Sequence, residues 1–282
     1  MNTEVVQYNN ANSFLKDCEH FLAIKESFHN LKLGIASSII ENKIETTEPL
    51  YFGIKENNQL IGCALRSNID RPLAITSLNF KSIEKLIHLL SNNKTTLHGI
   101  VGEIQTATQF RDQWISRNNQ NFKLSIHLGV YEANAIKLPQ LKGKIIVGTE
   151  NEMDIIFEFV KGFCEDCFPD KEHTNENIQK LCDRHIKNKS LYLLKNEYGE
   201  IVSMAAYTRG SQNGGTVSLV YTPKKLRGLG YGSLVTALVS NKILSEKKFV
   251  SLFTDLTNPT SNSIYQKIGY KKIGENIHFD FV

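Results

Sequence analysis

Apolar residues recur every three to four positions over residues 11–42. Phe14, Leu15, Cys18, Phe21 and Leu22 share one face, and Phe28, Leu31 and Ile35 continue the pattern, so two helices are predicted. The period then falls to two. LYFGIK from Leu50 and QLIGCALR from Gln59, joined at Asn57-Asn58, read as a hairpin. A short strand after Pro72 (73–76), a helix over 81–90, a buried strand at 99–103, a helix over 105–115 and a long strand ending near Glu132 complete one α/β unit.

Residues 133–144, ANAIKLPQLKGK, carry no period and read as a linker. The pattern then starts again: a strand at 144–147, helices over 153–164 and 175–186, and a hairpin from Leu191 to Thr208. Laid on the first hairpin without a gap at an offset of 141, it puts Leu50 on Leu191, Tyr51 on Tyr192, Glu56 on Glu197, Leu60 on Ile201, Ile61 on Val202 and Ala64 on Ala205. The order of elements repeats too, which predicts a duplication. The expected division is 1–132, a linker at 133–143, and 144–282.

Composition narrows the class. At 282 residues the chain is long enough for two domains, and 41% hydrophobic with 22% charged residues describes an ordinary globular protein. The net charge of +4 suits an anionic ligand and is too small to imply nucleic acid. No apolar run reaches the length of a membrane span, and MNTEVVQYNN lacks a signal peptide's regions, so a cytoplasmic location and no membrane partner are expected.

The chemistry gathers in residues 216–233, TVSLVYTPKKLRGLGYGS. An apolar strand (Val217, Leu219, Val220, Tyr221) breaks at Thr222-Pro223, passes the basic residues Lys224, Lys225 and Arg227, and enters a helix through Gly228, Gly230 and Gly232. Glycines at such a turn admit positive φ and leave room for an anion against several N–H groups, and the helix adds its positive end. Arg227 is expected to bring mobile positive charge. A P-loop would place Lys after the last glycine, and a dinucleotide fingerprint would have its third glycine where Ser233 stands; neither fits.

Arg227, Gly230 and Gly232 do spell Arg-x-x-Gly-x-Gly, and about thirty residues on comes NPTSNSIYQKIGY, residues 258–270. With these two motifs the chain resembles the GCN5-related N-acetyltransferase superfamily. The resemblance implies two tandem α/β domains, each a mixed sheet flanked by helices. It also implies an acetyl-coenzyme A co-substrate whose pyrophosphate lies on the backbone of Arg227, Gly228, Leu229, Gly230, Tyr231 and Gly232. The pantetheine arm would run along Leu219, Val220 and Tyr221 where two parallel strands splay. Tyr265 would stand near the coenzyme sulfur, and Asn258, Asn262 and Ser263 would offer polar contacts, with capping of the next helix an equal reading for Asn258. Tyr231 would pack on the sheet or the adenine side. The first half has TSLNFKSIEKL where the second has KLRGLGYG, so it is expected to lack the cradle and to shape structure or substrate.

The implied reaction transfers an acetyl group to a primary amine by direct attack in a ternary complex. The acceptor, the general base and the oligomeric state are not legible; Asp255, Glu165, Asp166 and His173 are candidates for the base without preference. A non-catalytic acyl-coenzyme A binding or sensing module is the alternative. Five cysteines, an odd number, point to reduced thiols. Cys164, Cys167, Cys182 and His185 have the spacing of a zinc site, yet also continue two helix faces, so both readings stay open and no metal is assigned. A zinc-organised nucleic-acid binder is a third possibility, which the weak charge disfavours.

Overall fold

The computed structural model describes residues 3–169 and 172–282. Contacts divide the chain into unit 1, Met1–Val130 with Thr254–Asn258 and Ile273–Val282, and unit 2, Tyr131–Phe253 with Pro259–Lys272. The elements come in one order twice. The first series is β1 (Thr3–Gln7), α1 (Ala11–Ala23), α2 (Asn30–Ile40), β2 (Leu50–Glu56), β3 (Gln59–Arg66), β4 (Leu73–Ile75), α3 (Phe80–Asn92), β5 (Gly99–Glu103), α4 (Ile104–Asn118) and β6 (Phe122–Ala133). The second is β7 (Gly143–Val147), α5 (Met153–Cys167), α6 (Asn175–Lys187), β8 (Leu191–Asn196), β9 (Ile201–Thr208), β10 (Gly214–Tyr221), α7 (Tyr231–Leu244), β11 (Phe249–Asp255), α8 (Pro259–Lys267) and β12 (Lys271–Phe281).

Local chemistry sets the boundaries. Asn57 and Asn58 both take positive φ, 49° and 67°, the turn whose twist suits a two-residue hairpin. α3 starts where Asn79 accepts a hydrogen bond from the Ser82 N–H at 2.9 Å. α4 stops at Asn119, which is left-handed. β1 is the element the periodicity does not reveal, since five residues, TEVVQ, are too few to show an alternation.

Alternation along the strands sends side chains to two helical layers. In unit 1, Tyr51, Cys63 and Leu65 pack with Phe14, Cys18 and Leu22 of α1. Their strand neighbours Phe52, Ile54 and Ala64 pack with Leu86 of α3 and Phe110 and Trp114 of α4. Unit 2 repeats this: Leu191, Leu193, Met204 and Ala206 face α5 and α6, while Tyr192, Leu194, Val202 and Ala205 face α7. Phe110 has no exposure and stacks on Trp114 at 6.0 Å. Phe110→Ala is therefore expected to lower stability by about 3–5 kcal/mol, read by denaturant unfolding.

These layers correct the ungapped hairpin alignment. Both first strands carry a register shift, between Ile54 and Lys55 and between Leu194 and Lys195, an offset of 140. Tyr51 thus matches Leu191 and Phe52 matches Tyr192, whereas the second strands match at 141, Ala64 on Ala205. The second turn is one residue longer, and a one-residue slip would exchange the two faces.

In unit 1 the strands run β1-β2-β3-β4-β5-β12-β6. β12 belongs here by contact: Asn276 to Asp280 pair antiparallel with Glu103 to Gly99, and Phe279 and Phe281 enter the unit 1 core. A contiguous division at 133–143 would have left this strand with the second half; its burial among unit 1 side chains places it otherwise. In unit 2 the order is β11-β10-β9-β8-β7. The expected linker is also packed, since Ile136 and Leu141 lie against the unit 2 core and the Lys137 N–H donates to Ile268 O at 2.9 Å. Among the described residues no helix is long and apolar enough to cross a membrane.

Candidate functional site

β10 pairs in parallel with β11 from Gly214↔Phe249 to Val217↔Leu252, and the ladder ends there although β10 continues to Tyr221. On its other side β10 pairs with β9 as far as Ser218↔Ala206 and resumes at Tyr221↔Met204, so it holds one extra residue. Leu219 absorbs it with φ 48°, left-handed for an apolar side chain. Such a conformation costs about 1–3 kcal/mol and persists where the surroundings enforce it. The bulge turns the edge of Ser218–Tyr221 away from β11 and leaves that side of the strand open to another extended chain.

The strand then runs into a cradle. A short turn, Lys224–Leu226, leads to Arg227 in extended conformation, Gly228 with φ 80° and Gly230 with φ 87°, and α7 begins at Tyr231. No side chain caps α7, so the N–H groups of its first turn are available to an anion. The space around the glycines is informative. A Cβ at Gly228 would meet nothing within 4 Å, one at Gly230 only Leu141 Cδ2 at 3.7 Å, and one at Gly232 only Thr222 Oγ1 at 3.5 Å. Gly214, by contrast, would drive a Cβ to 2.1 Å from the Phe249 ring. Packing explains Gly214. It does not explain Gly232, where glycine is a poorer helix former than alanine. Bare backbone facing open space is what a close-lying phosphate requires.

The Arg227 charge beside the cradle is held rather than mobile. Arg227 Nε donates to Thr222 O at 3.0 Å, and its guanidinium also donates to the Asp166 carboxylate at the end of α5. Lys224 Nζ stands 3.4 Å from the other Asp166 oxygen. Leu229 is exposed, and Tyr231 is partly buried against the unit 2 core.

α8 carries the second motif. Tyr265 is 9% exposed, and burial, with Cys167 acting in the same direction, pushes its pKa up to about 12 against a hydrogen bond with Ser261. Its ring meets Tyr270 edge-on at 6.2 Å, and the Tyr270 hydroxyl pairs with Ser240 at 2.7 Å. Asn262 Oδ1 accepts from Tyr131 Oη at 2.7 Å, and Ser263 is exposed. Asn258 directly precedes Pro259, the first residue of α8, where proline is well suited. α5 thus brings Asp166 to the cradle and Cys167 near Tyr265, a link that spacing along the chain does not signal.

Three of the base candidates, Asp255, His173 and Asp166, are occupied in other ways. Asp255 Oδ1 accepts from the Thr257 N–H and hydroxyl, both at 2.8 Å. His173 Nε2 lies 2.9 Å from Phe168 O, and Asp166 holds Arg227. The cysteine pattern follows its helix faces: Cys182 is buried with its thiol pushed up to about 11, largely by burial, and Cys167 is exposed. His185 is buried, with its pKa lowered to about 4, and its Nδ1 pairs with Ser190 Oγ at 2.8 Å. Among the described residues no group of three or more His, Cys, Asp or Glu could hold a metal ion.

The matching turn of unit 1 is built differently. Ser77 donates to Glu103, Asn79 Nδ2 donates to Glu56 at 2.8 Å, and the Leu78 N–H donates to Thr106 Oγ1 at 3.1 Å. With Asn79 capping α3 and two carboxylates lining the cleft of about 540 Å³, this turn repels an anion.

Residues 196–279 match the family model described as FR47-like protein. No curated protein sequence matches the chain. Solved structures match over its full length. An acetyltransferase of the GNAT family from Colwellia psychrerythraea is 14% identical, with a TM-score of 0.57, covering 99% of this chain and 100% of that one. A Drosophila protein is 14% identical with a TM-score of 0.67 and coverages of 100% and 99%. A tandem GNAT protein from the clavulanic acid biosynthesis pathway is 8% identical with a TM-score of 0.56, covering 100% and 98%. The chain therefore has, over its whole length, the fold of tandem proteins of the GCN5-related N-acetyltransferase superfamily.

Proposed function

We propose that unit 2 is an N-acetyltransferase site that takes acetyl-coenzyme A as co-substrate and a primary amine as acceptor. The observation that carries this reading is the pairing of the bulged, open edge at Leu219 with the uncapped glycine cradle that follows it on the same chain. One element offers hydrogen bonds to an extended amide-bearing arm, the other to a pyrophosphate. These are the two parts of coenzyme A that a protein can hold without reading its sequence of atoms in detail.

The thioester supplies an acetyl group activated for attack by a neutral amine: a C–N bond forms, the C–S bond breaks, and the amine's proton leaves to solvent or a base. The residues divide the work. Backbone N–H groups of 228–233 and the Arg227 guanidinium hold the pyrophosphate, and the edge at Leu219, Val220 and Tyr221 aligns the arm. An N–H on that edge would also face the negative charge developing on the carbonyl oxygen. Asn262 and Ser263 are the proposed polar contacts from α8. Tyr265 serves the departing sulfur. With its pKa at about 12, well above the roughly 8.5 of an ordinary thiol, it is a hydrogen-bond donor to the thiolate rather than the source of its proton.

Calorimetric titration with acetyl-coenzyme A tests the reading. One equivalent is expected to bind and to raise the unfolding midpoint with the logarithm of the free ligand concentration once that exceeds Kd. The absence of binding would remove the co-substrate and the reaction together.

A further inference from the structure

α5 ends on Glu165, Asp166 and Cys167, with no basic residue in its last turn. The carboxyl end of a helix is the unfavourable one for negative charge, because the unpaired carbonyls there already carry a partial negative charge. Compensation for Asp166 comes from elsewhere in the fold. One of its oxygens accepts from the Arg227 guanidinium, and the other stands 3.4 Å from Lys224 Nζ. Asp166 is 26% exposed, against 46% for Arg227 and 78% for Lys224, so the carboxylate is the anchored partner and the cations come to it.

Those cations flank the cradle. We propose that Asp166 is a latch: it holds Arg227 and Lys224 against the end of α5, and coenzyme binding replaces its carboxylate by pyrophosphate and releases the last turn of the helix. This rests on the coenzyme reading of unit 2. A pyrophosphate offers the guanidinium more charge and more acceptor oxygens than one carboxylate does, so the exchange favours the ligand. A carboxylate that stays in place opposes the same ligand by like-charge repulsion. In either case Asp166 weakens coenzyme binding, and its release couples the cradle to the segment that carries Cys167, beside Tyr265.

Asp166→Asn keeps the shape of the side chain and removes its charge, and Asp166→Ala removes both. Both are titrated with acetyl-coenzyme A by calorimetry at about 50 and about 500 mM salt, beside the wild-type protein. At low salt each variant is expected to bind about two- to five-fold more tightly than wild type, the upper part of the range an exposed ion pair spans. The gain should shrink at high salt, where screening reaches within a few ångströms. Hydrogen exchange adds a second readout: amides of residues 163–168 should exchange faster when coenzyme is added to wild type, and fast with or without it in Asp166→Asn. Equal or weaker binding by both variants, or slower exchange on adding coenzyme, overturns the latch. If wild type itself binds no acetyl-coenzyme A, the coenzyme reading falls first, and the latch with it.

Discussion

Gly230→Asp is expected to abolish acetyl-coenzyme A binding while leaving the fold intact. The fold should survive because the new Cβ meets only Leu141 Cδ2 at an ordinary 3.7 Å, and because aspartate tolerates the left-handed conformation at φ 87° better than most residues. The cost of that conformation is about 1 kcal/mol, a few degrees in the unfolding midpoint. The ligand fares worse. A carboxylate about 4 Å from a phosphate oxygen opposes it by roughly 4 kcal/mol at an effective dielectric constant of about 20, close to a thousand-fold in affinity. Gly230→Asn carries the same backbone strain without the charge and should lose much less. Titration of the three proteins separates the two effects, and equal affinities for all three would take the cradle out of the account.

The second large effect is expected from Tyr265→Phe. Removing the hydroxyl takes one donor from the departing sulfur, and groups in this role are worth about 10²–10³-fold in rate. The loss should fall on kcat, with coenzyme affinity changing less than three-fold, because the substitution leaves the cradle and the proposed α8 contacts, Asn262 and Ser263, in place. The pH profile gives an independent check. Burial holds the Tyr265 proton up to about 12, so between pH 6 and 10 the hydroxyl is not expected to titrate, and a rise of rate with pH is expected to belong to the proposed acceptor amine. Tyr265→Phe should lower that curve without moving its midpoint. A variant with unchanged kcat would return Tyr265 to its packing role against Tyr270, and a wild-type protein that binds coenzyme but acetylates no amine would favour the binding-module reading.

Periodicity located the helices over 11–40, 80–92 and 153–167 and both hairpins, because each buries a regular apolar face that a pattern of 3.6 or 2 exposes directly. The cradle was legible for a related reason: its glycines answer to backbone conformation, which only glycine supplies cheaply, and so they mark the sequence. Leu219 did not announce itself, since an apolar residue forced to positive φ looks like any strand residue until its neighbours are known. Asp166 was hidden differently. It lies sixty-one residues before Arg227, and a salt bridge formed through tertiary structure leaves no spacing to read. The ungapped hairpin alignment went astray by one residue because turn length is under little constraint, whereas strand faces are strictly set. The pairing of the last strand with β5 was likewise beyond pattern, since an amphipathic strand records which face is buried but not beside which neighbour.

That last pairing has a consequence for how the protein is made. β5 is complete by residue 103, yet the strand that covers its edge ends at Phe281. While the ribosome is still at work, unit 1 must wait with that edge exposed until residues 271–281 have emerged, so its closure is expected to follow the synthesis of unit 2. A gene fragment that stops at residue 132 is expected to yield aggregates, and one encoding 144–282 to carry an orphan strand. A circular permutant that moves residues 271–282 ahead of residue 3 would let unit 1 close early, and should refold faster.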